Sequence, residues 1–526
     1  MEISDKVNNQ NILTAAIQNH ISGDLVKAEQ LYQKFLFHYP NHPKALINLG
    51  NVLKDLRKYH KAISTYSKAL RLQPNSTEIY YNLGIVLINI GKFREAEHSF
   101  ELAIKMNPDF AGAYYYLGIS QKGQGKNEEA IKNFSHAIQL NPELIEAYNE
   151  LGLALKRVGE FEQAEKIFRK ILDLDPNYAI VYNNLANLIQ KQGRFSEAMN
   201  YYNCALELIP NFYEALFSRS LLHLSTGNFE KGWIDFEYRW KLIDVHNKKF
   251  DKPQWKGESL TGKTIFLWAE QGLGDTILFI RYVPLIKKRG GTVIVQCHPY
   301  LLDILSSVEG IDRLICKDED VPDFDFHIPL LSLPGIFKTT FDTIPNDIPY
   351  INTSLEYKDK FHEIFDLHDK NFKIGIVWGG NPRNRRDHDR SCRLQYFLPL
   401  LELNNVSIFS LQKGQQAREL DKYPDGRIYN LDPLLNNFSD TAAVMMDLDL
   451  VITVDTAVAH LAGALGKQVW ILLPFYPDWR WLLDRNDSPW YPTARLFRQS
   501  IPDDWKGVFN QVKEALNKVI MKKENR

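Results

Sequence analysis

The chain has 526 residues, which at roughly 150 per domain is room for three to four domains. Lys plus Arg (63) and Asp plus Glu (64) nearly cancel to a net charge of −1, which excludes a basic nucleic-acid binder and a highly charged disordered chain. Hydrophobic residues at 44% and aromatics at 12% supply packed cores, while no run of about 18 apolar residues marks a membrane span and MEISDKVNNQ holds no apolar leader.

In chain order, the first feature is a repeat. Prolines fall 34 residues apart at Pro40, Pro74, Pro108, Pro142, Pro176 and Pro210. In step with them come Ala28, Ala62, Ala96, Ala130, Ala164 and Ala198, then Gly232. An aromatic keeps the same step at Tyr32, Tyr66, Phe100, Phe134, Phe168, Tyr202 and Phe236. Gly23, Gly91, Gly125, Gly159, Gly193 and Gly227 recur in a loop, with Arg57 as the exception. Gly50, Gly84, Gly118 and Gly152 form a further row, replaced by Ala186 and Ser220. Two antiparallel helices per unit fit this pattern. Small residues allow close approach, the aromatic fills the wedge, and proline ends the second helix because it lacks an N–H and clashes with the preceding turn.

This pattern resembles the tetratricopeptide repeat (TPR) over about residues 9–244, with seven units whose outermost members are irregular as caps should be. The resemblance implies an α-solenoid superhelix with a concave groove. One groove-facing position reads Asn48, Asn82, Tyr116, Glu150, Asn184 and Ser218. Asparagines there resemble the groove of the O-GlcNAc transferases, which implies Asn48, Asn82 and Asn184 as contacts for an extended protein or peptide acceptor, an amide being both donor and acceptor. The alternative is that they are solvated polar positions. The array holds no convergent titratable cluster and is not expected to catalyse.

After about Thr261 the pattern changes to alternating strand and helix. Strands are expected at 263–270, 291–298, 313–317, 325–331, 372–380, 406–412, 448–455 and 467–474, in β-branched runs that imply parallel sheets covered by helices. The expected organisation is a TPR array at 1–245, a linker at 246–262, a Rossmann-like lobe at 263–350, a connector at 351–370, a second Rossmann-like lobe at 371–500 and a C-terminal helix at 501–526. Two such α/β lobes facing across a cleft resemble the GT-B architecture of glycosyltransferases, whose ligands bind at the carboxyl ends of the strands.

Four strand-end segments carry candidate chemistry. In WAEQGLGDTILFIRY (268–282), Gly272 and Gly274 allow a tight turn and Asp275 opens a helix, either as a cap or as a general base aimed at an acceptor hydroxyl. The segment resembles the family-nine lipopolysaccharide heptosyltransferases, and the string EQGLGDTI resembles bacterial TPR proteins fused to such a domain. That resemblance implies Asp275 as catalytic base, with Glu270 a second carboxylate nearby. In VDTAVAHLAGALG (454–466) a strand runs into a helix whose first N–H groups can seat a diphosphate. The string resembles the D-T-G-x-x-H signature of the same family, with Ala457 in place of the glycine. It implies Asp455, Thr456, Ala457, Val458 and His460 as donor-binding residues, His460 alternatively being a core histidine.

The third segment, GGNPRNRRDHDRSCR (379–393), is a basic loop whose arginines (Arg383, Arg385, Arg386, Arg390, Arg393) suit a departing diphosphate. The heptosyltransferases place a lysine near here. This loop has none, so an arginine substitutes, and Asn381 and Arg390 join the donor-binding set. Asp387, His388 and Asp389 are neighbours in one loop and are not read as a metal site. In SLQKGQQARE (410–419) Gln412 and Lys413 follow a strand and are placed at nucleotide phosphate or base, with Asp440 and Thr441 opening a further helix. Trp479, Trp481 and Trp490 either pack the lobe or form a sugar platform.

The resemblance implies an inverting, metal-independent glycosyltransferase that takes a nucleotide-sugar as co-substrate, needs no cofactor, and acts on a hydroxyl of a protein acceptor presented by the TPR groove. The rivals are a non-catalytic TPR scaffold with a degenerate transferase domain, and a transferase for a glycan or lipopolysaccharide precursor. Cys204, Cys297, Cys316 and Cys392 lie far apart without a CxxC and read as reduced thiols, in keeping with a cytoplasmic bacterial protein. Homo-oligomers are compatible with both halves.

Overall fold

The computed structural model describes residues 2–242, 250–354, 356–357, 360–382, 384, 387–424 and 426–524. The chain divides into two compact units, 1–210 and 211–526. Unit one is all helical: α1 Glu2–Ile21, α2 Leu25–His38, α3 Pro43–Asp55, α4 Tyr59–Leu72, α5 Thr77–Asn89, α6 Phe93–Met106, α7 Ala111–Gly123, α8 Asn127–Leu140, α9 Ile145–Arg157, α10 Phe161–Leu174, α11 Ala179–Lys191 and α12 Phe195–Leu208. Each odd-numbered helix pairs with the even one that follows and touches the next odd one, as in a stacked solenoid. The recurring residues act as their spacing predicts. A Cβ added at Gly84 or Gly118 would stand 2.5 or 2.6 Å from the ring of Phe100 or Phe134, so the glycine row lets the aromatic lie on helix backbone. The loop glycines adopt left-handed φ, +76° at Gly91 and +88° at Gly159, and the exception Arg57 takes the same conformation at +57°.

Unit two opens with the seventh helical pair, α13 Tyr213–Ser225 and α14 Phe229–Phe236. The helical pairs thus run on to Phe236, within the expected 1–245 array, while the last pair groups with the compact unit that follows. The reason is the first tryptophan: the Trp233 indole N–H donates to the Thr339 carbonyl (2.8 Å) and its ring meets Trp479 edge-on at 5.4 Å, fusing the pair to the α/β core. The described part of the expected linker is also built in. Trp255 is fully buried, its backbone N–H donates to the His327 carbonyl (2.9 Å), and Phe250 packs on Phe266 and His327.

Two wholly parallel sheets follow. The first contains β1 Thr264–Trp268, β2 Thr292–Cys297, β3 Arg313–Cys316 and β4 Phe326–Pro329 in the order β3-β2-β1-β4. The second contains β5 Phe372–Val377, β6 Val406–Ser410, β7 Ile428–Asn430, β8 Leu450–Val454, β9 Val469–Leu473 and β10 Ala494–Arg498 in the order β10-β9-β8-β5-β6-β7. β8 and β9 are buried at every position, as strands sandwiched between layers must be. In both sheets the order reverses beside the first strand, between β1 and β4 and between β5 and β8, which opens a crevice at the carboxyl ends there. Four helices matter below: α15 Leu273–Phe279, α16 Phe438–Asp447, α17 Ala457–Ala464 and α18 Trp505–Glu524. α18 lays Trp505, Val508, Phe509, Val512 and Leu516 on the core of the second sheet. No helix among the described residues is long and apolar enough to cross a membrane.

Candidate functional site

The turn after β1 and the turn after β8 meet. A Cβ added at Gly274 would stand 2.7 Å from His460 Cδ2 and 3.4 Å from the Ala457 Cα, so the absence of a side chain at 274 is what lets the start of α15 lie against the start of α17. Asp275, at the third position of α15, uses its two oxygens differently. Oδ2 accepts the Gly272 N–H (2.9 Å) as a helix cap, and Oδ1 is ion-paired with Nη2 of Arg480. Asp275 therefore caps the helix with one oxygen while the other faces a guanidinium.

Arg480 follows β9 in the tryptophan-rich run. Its Nη1 donates to Asp478 Oδ1 (2.7 Å), and the guanidinium stacks over Trp479 at 4.6 Å. Burial alone would weaken its hold on the proton, but Asp478 and Asp275 raise its pKa above the usual arginine value. On the other side stands Asp455, 8% exposed, whose carboxyl is pushed up to about 6 by burial and by the Asp478 charge, against the pull of Arg390 and Arg480. Thr456 is the N-cap residue of α17, but its hydroxyl bonds Thr453 Oγ1 (3.1 Å) and gives the helix no side-chain cap; the Ala459 N–H bonds the Thr456 carbonyl (3.0 Å). The Ala457 and Val458 residues beside it are half-buried. His460 shares Nδ1 with the Tyr491 hydroxyl (3.1 Å) and stacks on Trp481 at 5.3 Å; burial, then Arg480, lowers its pKa to about 3, so it is a neutral wall of the site.

From the third segment, Arg390 is half-buried, donates to Asp387 Oδ1 (3.3 Å) and acts electrostatically on Asp455. Asn381 is exposed on the same loop, and Arg383, Arg385 and Arg386 lie outside the described residues. Gln412 is bonded to the loop after β5. It is buried; Oε1 accepts the N–H groups of Trp378 (3.1 Å) and Gly379 (2.9 Å), while Nε2 donates to the Gly379 carbonyl. It shapes the loop after β5. Lys413 is exposed and paired with Asp432 at 2.7 Å. Asp440 is committed to Lys360 (2.6 Å) and the Asn436 N–H (2.8 Å), and Thr441 donates to the Asn437 carbonyl. The Glu270 side chain is enclosed against Arg239 (2.8 Å), and burial pushes its carboxyl up to about 7. Trp479, Trp481 and Trp490 are 4%, 0% and 0% exposed and pack the unit. The structure thus joins Asp275, Asp455, Thr456, His460 and Arg390, and adds Arg480 and Asp478, which the sequence reading passed over.

In unit one the asparagine row is drawn into the array itself. Asn82 is buried, with Oδ1 accepting from Lys54 of the preceding repeat (3.0 Å) and Nδ2 donating to the Glu78 carbonyl (3.0 Å). Asn184 donates to Asn149 (2.8 Å), Glu150 pairs with Lys122, and Asn48 is half-buried. An amide ladder free to hold a peptide backbone is therefore not what Asn82 provides. Asn82, Glu150 and Asn184 of this row each bond to the preceding repeat.

Tetratricopeptide-repeat models match residues 77–110 and 143–211, and a TPR-repeat model matches 50–91 and 122–159. The N-terminal part carries tetratricopeptide repeats. Over 335 residues the chain is 23% identical to Protein FlbA of Caulobacter vibrioides, covering 57% of this chain and 54% of that protein, so it spans about half the length of this relative. Among solved structures, a MamA protein is 30% identical over 32% of this chain and 93% of its own (TM-score 0.31). A tetratricopeptide repeat protein from Parabacteroides merdae is 19% identical over 45% of this chain and 95% of its own (TM-score 0.40).

Proposed function

We propose that unit two is a glycosyltransferase of GT-B type that moves a sugar from a nucleotide-sugar to an acceptor hydroxyl, with inversion and without a metal. The observation that carries this reading is the meeting of the Gly272–Asp275 turn with the start of α17, which lacks a side-chain cap, beside Asp455, Arg390 and Arg480. A helix start without a side-chain cap and two guanidiniums suit a diphosphate. The resemblance to the heptosyltransferases assigns the same two turns to base and donor. In the reaction the acceptor oxygen attacks the anomeric carbon as its proton passes to the Asp275 carboxylate. The bond from that carbon to the diphosphate oxygen breaks, and the nucleoside diphosphate leaves with the electron pair. The TPR array, a repeat type used for protein–protein contacts, presents a protein acceptor in this scheme.

Pairing of the Asp275 outer oxygen with Arg480 favours a second reading, a scaffold whose transferase domain has lost its activity. A ligand panel separates the two. Nucleotide-sugars that bind raise the unfolding midpoint of unit two, and Asp455→Ala abolishes the rise. A midpoint unmoved by every nucleotide-sugar favours the scaffold.

A further inference from the structure

The sequence offers no lysine in the loop after β5 to face a diphosphate, and Arg390 there is already engaged with Asp387. Arg480 is buried, 7% exposed; it pairs with Asp275 of one turn and acts electrostatically on Asp455 and His460 of the other. Its Nη1 and Nη2 have carboxylate partners, but among the described residues its buried Nε has none. A guanidinium with one idle donor, paired to the turn that packs on a helix start lacking a side-chain cap, is a half-filled anion site. Asp275 fills the other half from within the protein.

Resting on the glycosyltransferase reading, we propose that Arg480 is the cation for the donor diphosphate and the latch on the base: a nucleoside diphosphate group displaces Asp275 from Arg480. Asp275 stays fixed by its Oδ2 bond to the Gly272 N–H, so release of Oδ1 leaves it aimed and free to accept a proton. Before the donor arrives, Oδ1 is masked by the ion pair. The donor therefore binds before the acceptor reacts, and the unliganded enzyme holds no free base. The carboxylate behaves as a competitive internal ligand, so its removal strengthens anion binding, the reverse of what loss of an ordinary structural pair does.

The test is a titration of the full-length protein with inorganic pyrophosphate and with ADP, GDP and UDP, followed by calorimetry. Trp479 under the guanidinium provides a fluorescence signal as well. Asp275→Asn, which keeps the shape and removes the charge, tightens binding about tenfold. Arg480→Gln weakens it at least about tenfold, and Arg480→Lys recovers part of the loss. Folding of each variant is checked by the tryptophan-monitored unfolding midpoint. If wild type binds but Asp275→Asn binds equally or more weakly, the latch is wrong while the donor site stands. If neither wild type nor Asp275→Asn binds any of the four anions, the donor reading itself fails and the latch with it.

Discussion

Gly274→Ala is the sharpest probe of the meeting between the two turns. The added methyl would stand 2.7 Å from His460 Cδ2, where an unstrained carbon contact is about 3.5–4.0 Å, an overlap of about 1 Å. The imidazole has no room to yield, because Tyr491 holds Nδ1 at 3.1 Å and Trp481 lies stacked on its face at 5.3 Å. Overpacking against such a wall costs about 2–3 kcal/mol. At roughly 2–4 °C per kcal/mol for a large domain, the unfolding midpoint falls by about 4–12 °C. Tryptophan emission is the assay of choice, since all ten tryptophans lie at or after Trp233 and report unit two alone. Adding His460→Ala removes the obstructing ring, so the double variant loses less than the sum of the single ones. Additive losses, or a Gly274→Ala midpoint equal to that of wild type, would refute the close approach on which the site is built.

Three further outcomes are expected. Glu270 has a folded pKa raised to about 7, so its contribution to stability is present at low pH and is lost as pH rises from about 4.5 through 7. Glu270→Gln should therefore gain on wild type across that window in urea unfolding followed by tryptophan emission. His460, lowered to about 3, has the opposite sign: wild type loses ground to His460→Asn as pH falls from about 6.5 towards 3 in the same assay. Gly118→Ala forces a methyl to 2.6 Å from the Phe134 ring, and should cost about 1–2 kcal/mol after the helix-propensity gain of alanine, seen as a lower midpoint in circular dichroism at 222 nm.

The repeat array was legible because one set of physical constraints recurs every 34 residues, so a single exception such as Arg57 does not hide the pattern. The sheets were legible from their apolar runs, and the parallel order came with the alternation of strand and helix. β7 and β10 were not: Ile428–Asn430 is short and two of its three residues are exposed, while Ala494–Arg498 sits behind a Trp- and Pro-rich run without a pure β-branched signature. Asp275 and Asp455 were found because each follows a strand at a turn. Arg480 was not, since its partner Asp275 is 205 residues away and nothing local marks the pair. Gln412 and Asn82 show the converse limit. A polar residue at a strand end or in a groove row looks available in sequence, and only the fold shows its amide already bonded, to the Gly379 backbone in one case and to Lys54 and Glu78 in the other.

Release of nucleoside diphosphate by the full-length protein, measured across a panel of nucleotide-sugars, tests the central claim most directly. The account predicts that at least one donor is turned over, that Asp275→Ala abolishes release while donor binding persists, and that Asp455→Ala loses both. Release that is unchanged in Asp275→Ala, or no release from any donor by wild type, would contradict it.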